Sequence, residues 1–246
     1  MSGNYYDPGE QRAAKVDALF SSIARRYDLI NDVQSFGLHR LWKRRLIRLA
    51  DITGDSRTLD LCCGTGDVTF AMSRAGAAAT GLDFNAAMLA VARERQARGE
   101  GARNCAFLQG DALSIPFGDN QFDVVSISYG LRNLADFKRG LTEMRRVAKP
   151  GGRLLILDFG VPGFAPWRRA YFAYLRIATP IFGKLFTGDS AAYAYILESL
   201  KNYPAQKGVA RMLEEIGCRE VRTHNLLGGV MSIHCALSGE QATGGR

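Results

Sequence analysis

The chain has 246 residues, and its 47% hydrophobic and 23% charged content is that of a globular domain large enough to bury a full core. It shows no signal-peptide pattern and no uncharged run of 18 apolar residues, so secreted and membrane-spanning classes are excluded and a soluble protein is expected. The formal charge of +8 is compatible with nucleic acid, an anionic membrane or no specific partner, and five cysteines without CxxC spacing indicate reduced thiols.

The first predicted elements are helices within residues 10–50, where apolar residues recur at helical spacing. A polar stretch at 27–32 predicts a loop between them. From residue 58 onward, strands alternate with helices. The predicted strands are 58–62, 78–83, 106–109, 122–128 and 153–158, and the predicted helices are 68–75, 86–98 and 137–147.

The alternation of strands and helices stops after the fifth strand. Residues 159–200 are aromatic, basic and helical in pattern, which predicts an insertion that packs over a cleft. A helix over 205–216 and strands near 220–225 and 231–237 then predict an antiparallel hairpin that closes the sheet. We therefore expect one α/β domain over 1–246, with a mainly parallel seven-stranded sheet, a helical cap at 10–50 and a helical lid at 159–200.

A glycine turn follows the first predicted strand in the segment TLDLCCGTGD, residues 58–67. Such a turn brings backbone N–H groups and a helix N-terminus close to a ligand, and Asp83 at the end of the second strand can accept both hydroxyls of a ribose. The third glycine of a dinucleotide site is replaced by Thr69, so a pyrophosphate turn is incomplete. An ordinary tight turn is the alternative.

Asp60, placed before Gly64-Thr65-Gly66, completes a pattern that resembles the first motif of class I S-adenosylmethionine-dependent methyltransferases. The resemblance implies an adenosine-containing cofactor without phosphate.

Further polar residues lie at predicted strand ends. Asp111 can accept a hydrogen bond from the exocyclic amine of adenine, while the N–H of Ala112 contacts a ring nitrogen. Asp111 alternatively satisfies its own turn. Ser128 ends the fourth strand, where it can contact the amino-acid part of the cofactor.

The segment SISYGLRN, residues 126–133, lacks the Asn/Asp-Pro-Pro-aromatic element of enzymes that methylate adenine or cytosine amines. None of the cysteines follows Pro or Thr, which disfavours cytosine C5 chemistry. Arg132 offers a cation at the strand-end cleft. A cation beside a phenol lowers the phenol's pKa and makes the ortho carbon nucleophilic. A salt bridge to Asp136 is the alternative.

The segments YDLIND (27–32), SFGLHRLWK (35–43) and GLRN (130–133), with the glycine motif, resemble the ubiquinone/menaquinone biosynthesis C-methyltransferase family. The resemblance spans about residues 15–238 and implies a Rossmann-like class I methyltransferase fold with S-adenosyl-L-methionine as cofactor. It implies methyl transfer to a ring carbon of a polyprenylated hydroquinone. Demethylmenaquinol is the leading substrate, and the benzoquinol precursor of ubiquinone is the alternative.

The resemblance also assigns residues to the two halves of the site. The cofactor positions are Thr65, Asp83, Asp111, Ala112 and Ser128, together with Asp60, Gly64 and Gly66 of the glycine motif. Many members have Asn where Asp111 stands. The methyl-acceptor positions are Tyr27, Asn31, Arg132 and Asn133, and no metal is expected.

A lipid substrate gives the predicted insertion a role. The aromatic and aliphatic residues expected at a hydrophobic entrance are Phe164, Trp167, Tyr171, Phe172, Tyr174, Ile181, Phe182 and Phe186. The basic residues expected to face anionic headgroups are Arg168, Arg169, Arg176 and Lys184. A plain aromatic core beneath a lid is the alternative. We expect a cytoplasmic protein in peripheral contact with the membrane, with self-association left open.

A second basic face, formed by Arg40, Lys43, Arg44, Arg45 and Arg48, either docks on a membrane or is simply solvated. His39 is either a general base or a structural histidine. Two other functions compete. The positive charge would suit a tRNA or rRNA methyltransferase. The sequence has no RNA-binding appendage, however, so no nucleic-acid partner is expected. A non-catalytic cofactor-binding domain is disfavoured by the intact Arg132-Asn133 pair.

Overall fold

The computed structural model describes residues 10–101, 104–187, 199–200 and 202–239. Within them, seven strands form a single sheet. The strands are β1 (Arg57–Leu61), β2 (Ala78–Asp83), β3 (Cys105–Gln109), β4 (Phe122–Ser128), β5 (Ala148–Phe159), β6 (Arg219–Leu226) and β7 (Met231–Leu237). Their order is β3-β2-β1-β4-β5-β7-β6, and only the pairings of β7 are antiparallel. The predicted architecture of the sheet is confirmed.

The central strands β1 and β4 and the second half of β5 are buried on both faces, as expected where crossover helices cover the sheet, whereas the edge strand β3 is mostly exposed. The helices are α1 (Glu10–Ile23), α2 (Tyr27–Ser35), α3 (Leu38–Ala50), α4 (Asp67–Arg74), α5 (Ala86–Ala97), α6 (Phe137–Val147), α7 (Ala165–Thr187) and α8 (Ala205–Glu215). Helices α6 and α8 pack on one face of the central strands, and α3, α4 and α7 pack on the other. The carboxyl ends of β1, β2 and β4 therefore meet at one edge.

The predicted loop at 27–32 is wrong, because these residues form most of α2. Ile30 is buried, and the polar residues that suggested a solvated loop have partners elsewhere in the fold. Asp28 accepts hydrogen bonds from Thr65 and Arg95, and Asp32 accepts them from Arg40. Their pairing partners are distant in sequence or on the next helix, so polarity alone could not reveal a helix here.

Several strand bounds also differ from the sequence-based prediction, most of them by one residue. β1 ends at Leu61, so Cys62 and Cys63 lie in the glycine turn rather than in the strand. Cys62 has a φ of 51°, which breaks the extended backbone. β5 begins at Ala148, because that residue already pairs with Phe122 before an irregularity in the ladder.

The predicted insertion at 159–200 contains α7, which packs on α1 and α2. The hydroxyl of Tyr174 donates to the backbone oxygen of Gln34 at 3.0 Å, which ties α7 to the end of α2. Residues 188–198 of this insertion, and the ends of the predicted 1–246 domain, lie outside the described residues. In the portion of the chain that is described, no helix combines the length and apolarity needed to cross a bilayer.

Candidate active site

The glycine turn after β1 is held in place by the acid at the end of β2. The backbone N–H of Gly64 donates to Asp83 Oδ2 at 2.7 Å. Gly66 has a φ of 91°, and a Cβ at that position would lie 2.8 Å from the ring of Phe107. Both the backbone conformation and the packing therefore require glycine at 66.

The carboxylate of Asp83 bridges two backbone segments. Its second oxygen, Oδ1, accepts the N–H of Asn85 at 2.8 Å. Burial raises the pKa of Asp83, while the hydrogen bonds from the N–H groups of Asn85 and Gly64 oppose that rise. Each carboxylate oxygen has a second lone pair, so both oxygens retain capacity to accept from a ribose diol.

Asp60 lies beneath the turn and is fully enclosed by protein. Its two oxygens accept the hydroxyls of Thr69 and Ser126, each at 2.8 Å. Burial raises the pKa of this carboxyl to about 6. Asp60 therefore joins β1 to α4 and β4, and its contribution to cofactor binding would come through the shape of the turn.

Thr65 is turned towards the helical cap. Its hydroxyl donates to Asp28 Oδ1 at 2.8 Å, and its backbone oxygen accepts from Arg95 at 3.1 Å. Arg95 also pairs with Asp28 and Asp67, at 2.9 and 2.8 Å. The sequence does not reveal this charge network, because its members come from four separate elements.

Lys43 belongs to the same network rather than to an exposed basic face. Its ammonium lies 2.7 Å from Asp67, and its side chain is largely buried. Burial alone would raise the pKa of Asp67, but Lys43 and Arg95 together lower that pKa to about 2. Arg40 is similarly occupied by Asp32, so the predicted five-residue basic face is interrupted at two positions.

The remaining predicted cofactor residues lie at the same edge of the sheet. Asp111 is exposed, and its Oδ1 accepts the N–H of Leu113 at 2.8 Å. This is the contact expected if Asp111 satisfies its own turn. Ala112 is buried. Ser128 ends β4, and its hydroxyl is buried with no hydrogen-bond partner among the described residues. That hydroxyl therefore keeps its capacity to hydrogen-bond a ligand.

A cavity of about 390 Å³ opens beside Ser128, between the cap, α7 and the strand ends. Its walls are mostly apolar, and the next residue after Ser128, Tyr129, lines it. The polar residues on its walls are Tyr27, Asn31, Gln34, Ser35, His39, Tyr129 and Arg132, and its aromatic residues include Trp42, Phe159, Trp167, Tyr171 and Tyr174.

Three of the four predicted methyl-acceptor residues, Tyr27, Asn31 and Arg132, thus share one cavity. Burial raises the pKa of Tyr27, whereas the charge of Lys43 and a hydrogen bond with Asn31 act to lower it. Asn133 is half-buried beside this cavity, and its amide donates to the backbone oxygen of Tyr129 at 3.4 Å.

Arg132 is buried, and its Nη1 lies 2.9 Å from Asp158 at the end of β5. The alternative bridge to Asp136 is wrong, because Asp136 caps α6 by accepting the N–H of Arg139. The guanidinium also stacks on Phe159, with 4.8 Å between its carbon and the ring centroid. Asp158 could have been anticipated, since it ends a parallel strand at the same edge as Asp83.

The residues predicted at a hydrophobic entrance lie in different surroundings. Trp167, Tyr171 and Tyr174 line the cavity, while Phe164 and Ile181 are exposed. Phe172 packs into the core around Tyr171. The side chains of Phe182 and Phe186 lie outside the described residues.

Comparison with known sequences decides what kind of site this is. Residues 8–238 match the model of the ubiE/COQ5 methyltransferase family. The chain belongs to this family. Proteins from Stutzerimonas stutzeri and Azotobacter vinelandii, each named ubiquinone/menaquinone biosynthesis C-methyltransferase UbiE, are both 43% identical to it. The alignments cover 92% and 94% of this chain and 90% and 92% of the relatives.

Solved structures support the fold of this ubiE/COQ5 family member. A SAM-dependent methyltransferase from Aquifex aeolicus superposes with a TM-score of 0.61 over 89% of this chain and 98% of its own, at 19% identity. A phosphoethanolamine N-methyltransferase from Haemonchus contortus, in complex with S-adenosyl-L-methionine, gives a TM-score of 0.59. It is 17% identical, over 79% of this chain and 51% of that one.

The protein is therefore an S-adenosylmethionine-dependent methyltransferase. Its residues fit the cofactor. The Ser128 hydroxyl has no hydrogen-bond partner in the described part of the chain, Asp83 keeps two acceptor directions, and Gly64 and Gly66 adopt positive φ in the turn beside it. When bound, S-adenosylmethionine supplies an electrophilic methyl group on a sulfonium.

Replacement of Asp83 tests the cofactor half of the site. We predict that Asp83→Ala weakens S-adenosylmethionine binding by about 1–3 kcal/mol, the cost of leaving buried partners unpaired. Asp83→Asn should lose less, because its amide oxygen can still accept the Gly64 N–H. Calorimetric titration measures both affinities. Unchanged affinity in a folded Asp83→Ala protein would remove Asp83 from the cofactor site.

Proposed function

We propose that this enzyme methylates a ring carbon of a polyprenylated hydroquinone, with demethylmenaquinol as the substrate and menaquinol as the product. The observation that carries the proposal is that three of the predicted methyl-acceptor residues share one apolar cavity, whose wall begins one residue after Ser128. Ser128, at the cofactor edge, is followed by Tyr129 and Arg132, which line an apolar cavity beside it. The family's relatives are named for ubiquinone/menaquinone biosynthesis, which agrees with an aromatic, lipid-like methyl acceptor.

The cavity suits a neutral ring with hydroxyl groups. Most of its walls are aromatic or aliphatic, and polar groups converge from α2 and from the segment after β4. A volume of about 390 Å³ falls within the usual range for small-molecule sites. Arg132 can donate hydrogen bonds to a ring oxygen, and the paired Asp158 keeps the buried guanidinium compensated.

Most of the catalysis in this proposal is orientation and charge stabilisation. Loss of a proton from a quinol hydroxyl places negative charge on the oxygen and makes the adjacent ring carbon nucleophilic. Arg132 would stabilise that charge, while Tyr27 and Asn31 from α2 would orient the ring. The packed apolar walls would exclude water from the reacting carbon.

The naphthoquinol and the benzoquinol are both compatible with these walls, so the assay must compare them. Purified protein is incubated with radiolabelled S-adenosylmethionine and short-chain forms of each quinol under reducing conditions, and methylated product is identified by mass spectrometry. We expect turnover of demethylmenaquinol. Turnover of the benzoquinol alone would correct the substrate, and turnover of transfer RNA alone would refute a quinol methyltransferase.

The oxidised quinone is the matched control for this assay. It has the same ring and tail but no hydroxyl to ionise, so we expect no methylation of it. Equal methylation of quinone and quinol would contradict a mechanism through the ionised hydroxyl.

An exposed apolar patch lies at the rim of the cavity and suggests how a lipid substrate enters. Phe36 is 80% exposed and its ring contacts Tyr174, while Ile177 and Ile181 follow on the same face of α7. Exposed large apolar groups around a cavity mouth are typical of lipid or partner contacts. Arg169 and Arg176, also exposed on α7, could face anionic headgroups.

We predict that Phe36→Ser/Ile177→Ser reduces co-sedimentation with vesicles of phosphatidylglycerol and phosphatidylcholine while leaving cofactor affinity intact. Each apolar side chain buried in the membrane contributes about 1.5–3 kcal/mol at most, so a severalfold loss or more is expected. Leu108→Ser, on the sheet edge away from the cavity, is the control. If the wild-type protein does not sediment with vesicles, the patch has another role.

A further inference from the structure

His39 occupies an unusual position for a structural histidine. It is 3% exposed, it lies near the start of α3, and it lines the cavity that also contains Arg132. Its Nε2 lies 2.8 Å from Asp32 Oδ1. Its other ring nitrogen, Nδ1, is buried and meets no hydrogen-bonding group in the described ranges.

Asp32 fixes the protonation state of this imidazole. Hydrogen bonds from Arg40, at 2.7 and 2.5 Å, and from His39 hold the pKa of Asp32 well below its usual range. An ionised carboxylate only accepts hydrogen bonds, so the proton of a neutral His39 resides on Nε2. Nδ1 then carries the lone pair. Burial lowers the pKa of His39, although the hydrogen bond to Asp32 opposes this, so the ring is neutral at neutral pH.

The backbone holds Asp32 and His39 at fixed positions relative to each other. Phe36 and Gly37 both have positive φ, 51° and 73°, in the short turn between α2 and α3. The N–H of Gly37 donates to the backbone oxygen of Asp32 at 2.8 Å, and the N–H of His39 donates to the hydroxyl of Ser35. A bulky residue in the left-handed region is uncommon, and such strain is concentrated at functional sites.

We propose that His39 is the general base of the reaction, which accepts through Nδ1 the proton of the quinol hydroxyl next to the methylated carbon. This inference rests on the proposed function and adds to it the group that removes the proton. Asp32 orients the ring and stabilises the imidazolium that forms, as the carboxylate does in a carboxylate–histidine pair. Arg132 contacts the resulting oxyanion instead of acting as the base, because a guanidinium stays protonated in proteins.

The step balances as follows. The O–H bond of the quinol breaks, its proton bonds to Nδ1, and its electron pair stays on oxygen. Methyl transfer forms the carbon–carbon bond and breaks the sulfur–methyl bond, whose electron pair remains on sulfur. The ring carbon loses its own proton to solvent when the product leaves the apolar cavity, and the ring becomes aromatic again. His39 returns its proton to the ring oxygen, so one proton is released per turnover.

The test compares His39→Gln with the wild type on short-chain demethylmenaquinol. Glutamine can keep the contact to Asp32 through its amide N–H but cannot take a proton. We expect kcat to fall about a hundredfold or more, the usual contribution of a general base, with KM, cofactor affinity and melting temperature nearly unchanged. His39→Ala should be partly rescued by added imidazole, in a saturable manner.

Substrate acidity gives an independent measurement. A demethylmenaquinol fluorinated on its distal ring has a more acidic hydroxyl and needs less help from a base, so the loss in His39→Gln should shrink with it. A kcat for His39→Gln close to that of the wild type, or the same loss on both quinols with a matching loss of melting temperature, would make His39 structural. The absence of wild-type turnover on every quinol would instead refute the proposed function, and this inference with it.

Discussion

Replacing Arg132 with Gln should lower kcat on demethylmenaquinol about a hundred- to a thousandfold. The guanidinium lies on the wall of the cavity, buried and held by Asp158 and by the backbone oxygen of Tyr129, so it is fixed before substrate arrives. Preorganised donors to a developing oxyanion contribute about 2.7–4 kcal/mol each. Steady-state assays at saturating cofactor measure the loss, and calorimetry should show nearly unchanged S-adenosylmethionine affinity.

Two further variants complete this test. One separates the charge of Arg132 from its shape, and the other tests the alternative partner, Asp136. Arg132→Lys keeps the cation but loses the planar fork, so we expect an intermediate kcat. Asp136→Asn changes the carboxylate that sequence spacing had suggested as a partner, and it should leave kcat unchanged. An Arg132→Gln protein whose turnover per folded molecule matches the wild type would leave Arg132 with a purely structural role.

Replacing Asp158 with Asn should reduce the free energy of unfolding by about 3–5 kcal/mol, because it leaves a buried guanidinium without its carboxylate. Asp158 is fully buried and also accepts the backbone N–H groups of Arg132 and Phe159, at 3.2 and 2.8 Å. For a chain of this size the loss corresponds to about 10 °C in melting temperature. Guanidinium chloride titration and thermal melting both measure it.

Asp136→Asn is again the matched control, because Asn caps a helix as well as Asp does and α6 should keep its N-terminus. A loss under about 1 kcal/mol in Asp158→Asn would show that the pair with Arg132 does not stabilise the fold. Loss of turnover without loss of stability would indicate instead that Asp158 acts through the position of Arg132.

The succession of strands and helices along the chain could be predicted from the sequence because most strands contain apolar residues and are followed by a turn. β1 (Arg57–Leu61) and β4 (Phe122–Ser128) show this clearly, and each ends at the edge of the sheet that carries the glycine turn. Residues 27–32 could not be predicted in the same way. Their polar side chains are satisfied by Thr65, Arg95 and Arg40, and such contacts exist only after the chain has folded.

The residues of the candidate site also fall into two groups, those that the sequence reveals and those that it does not. Asp83 and Ser128 are visible in the sequence because strand ends meet at one edge. The partner of Arg132 was missed because helical spacing favoured Asp136, whereas the segment after β4 forms only a short 3₁₀ turn at Leu131–Asn133. That turn places Arg132 against β5, at Asp158. The pair formed by the buried His39 and the partly exposed Asp32 depends on two left-handed residues that no periodicity reveals.

Helix α2 takes part in both halves of the site at once. Tyr27 and Asn31 line the cavity, while Asp28, between them, accepts the Thr65 hydroxyl of the glycine turn. If these residues bind the two substrates as proposed, a displacement of this helix by one ligand would alter the surroundings of the other, and their binding free energies would be thermodynamically linked. Such linkage is reciprocal: if the quinol tightens cofactor binding by some factor, the cofactor tightens quinol binding by the same factor. The cap would then couple the binding of the methyl donor to that of the methyl acceptor.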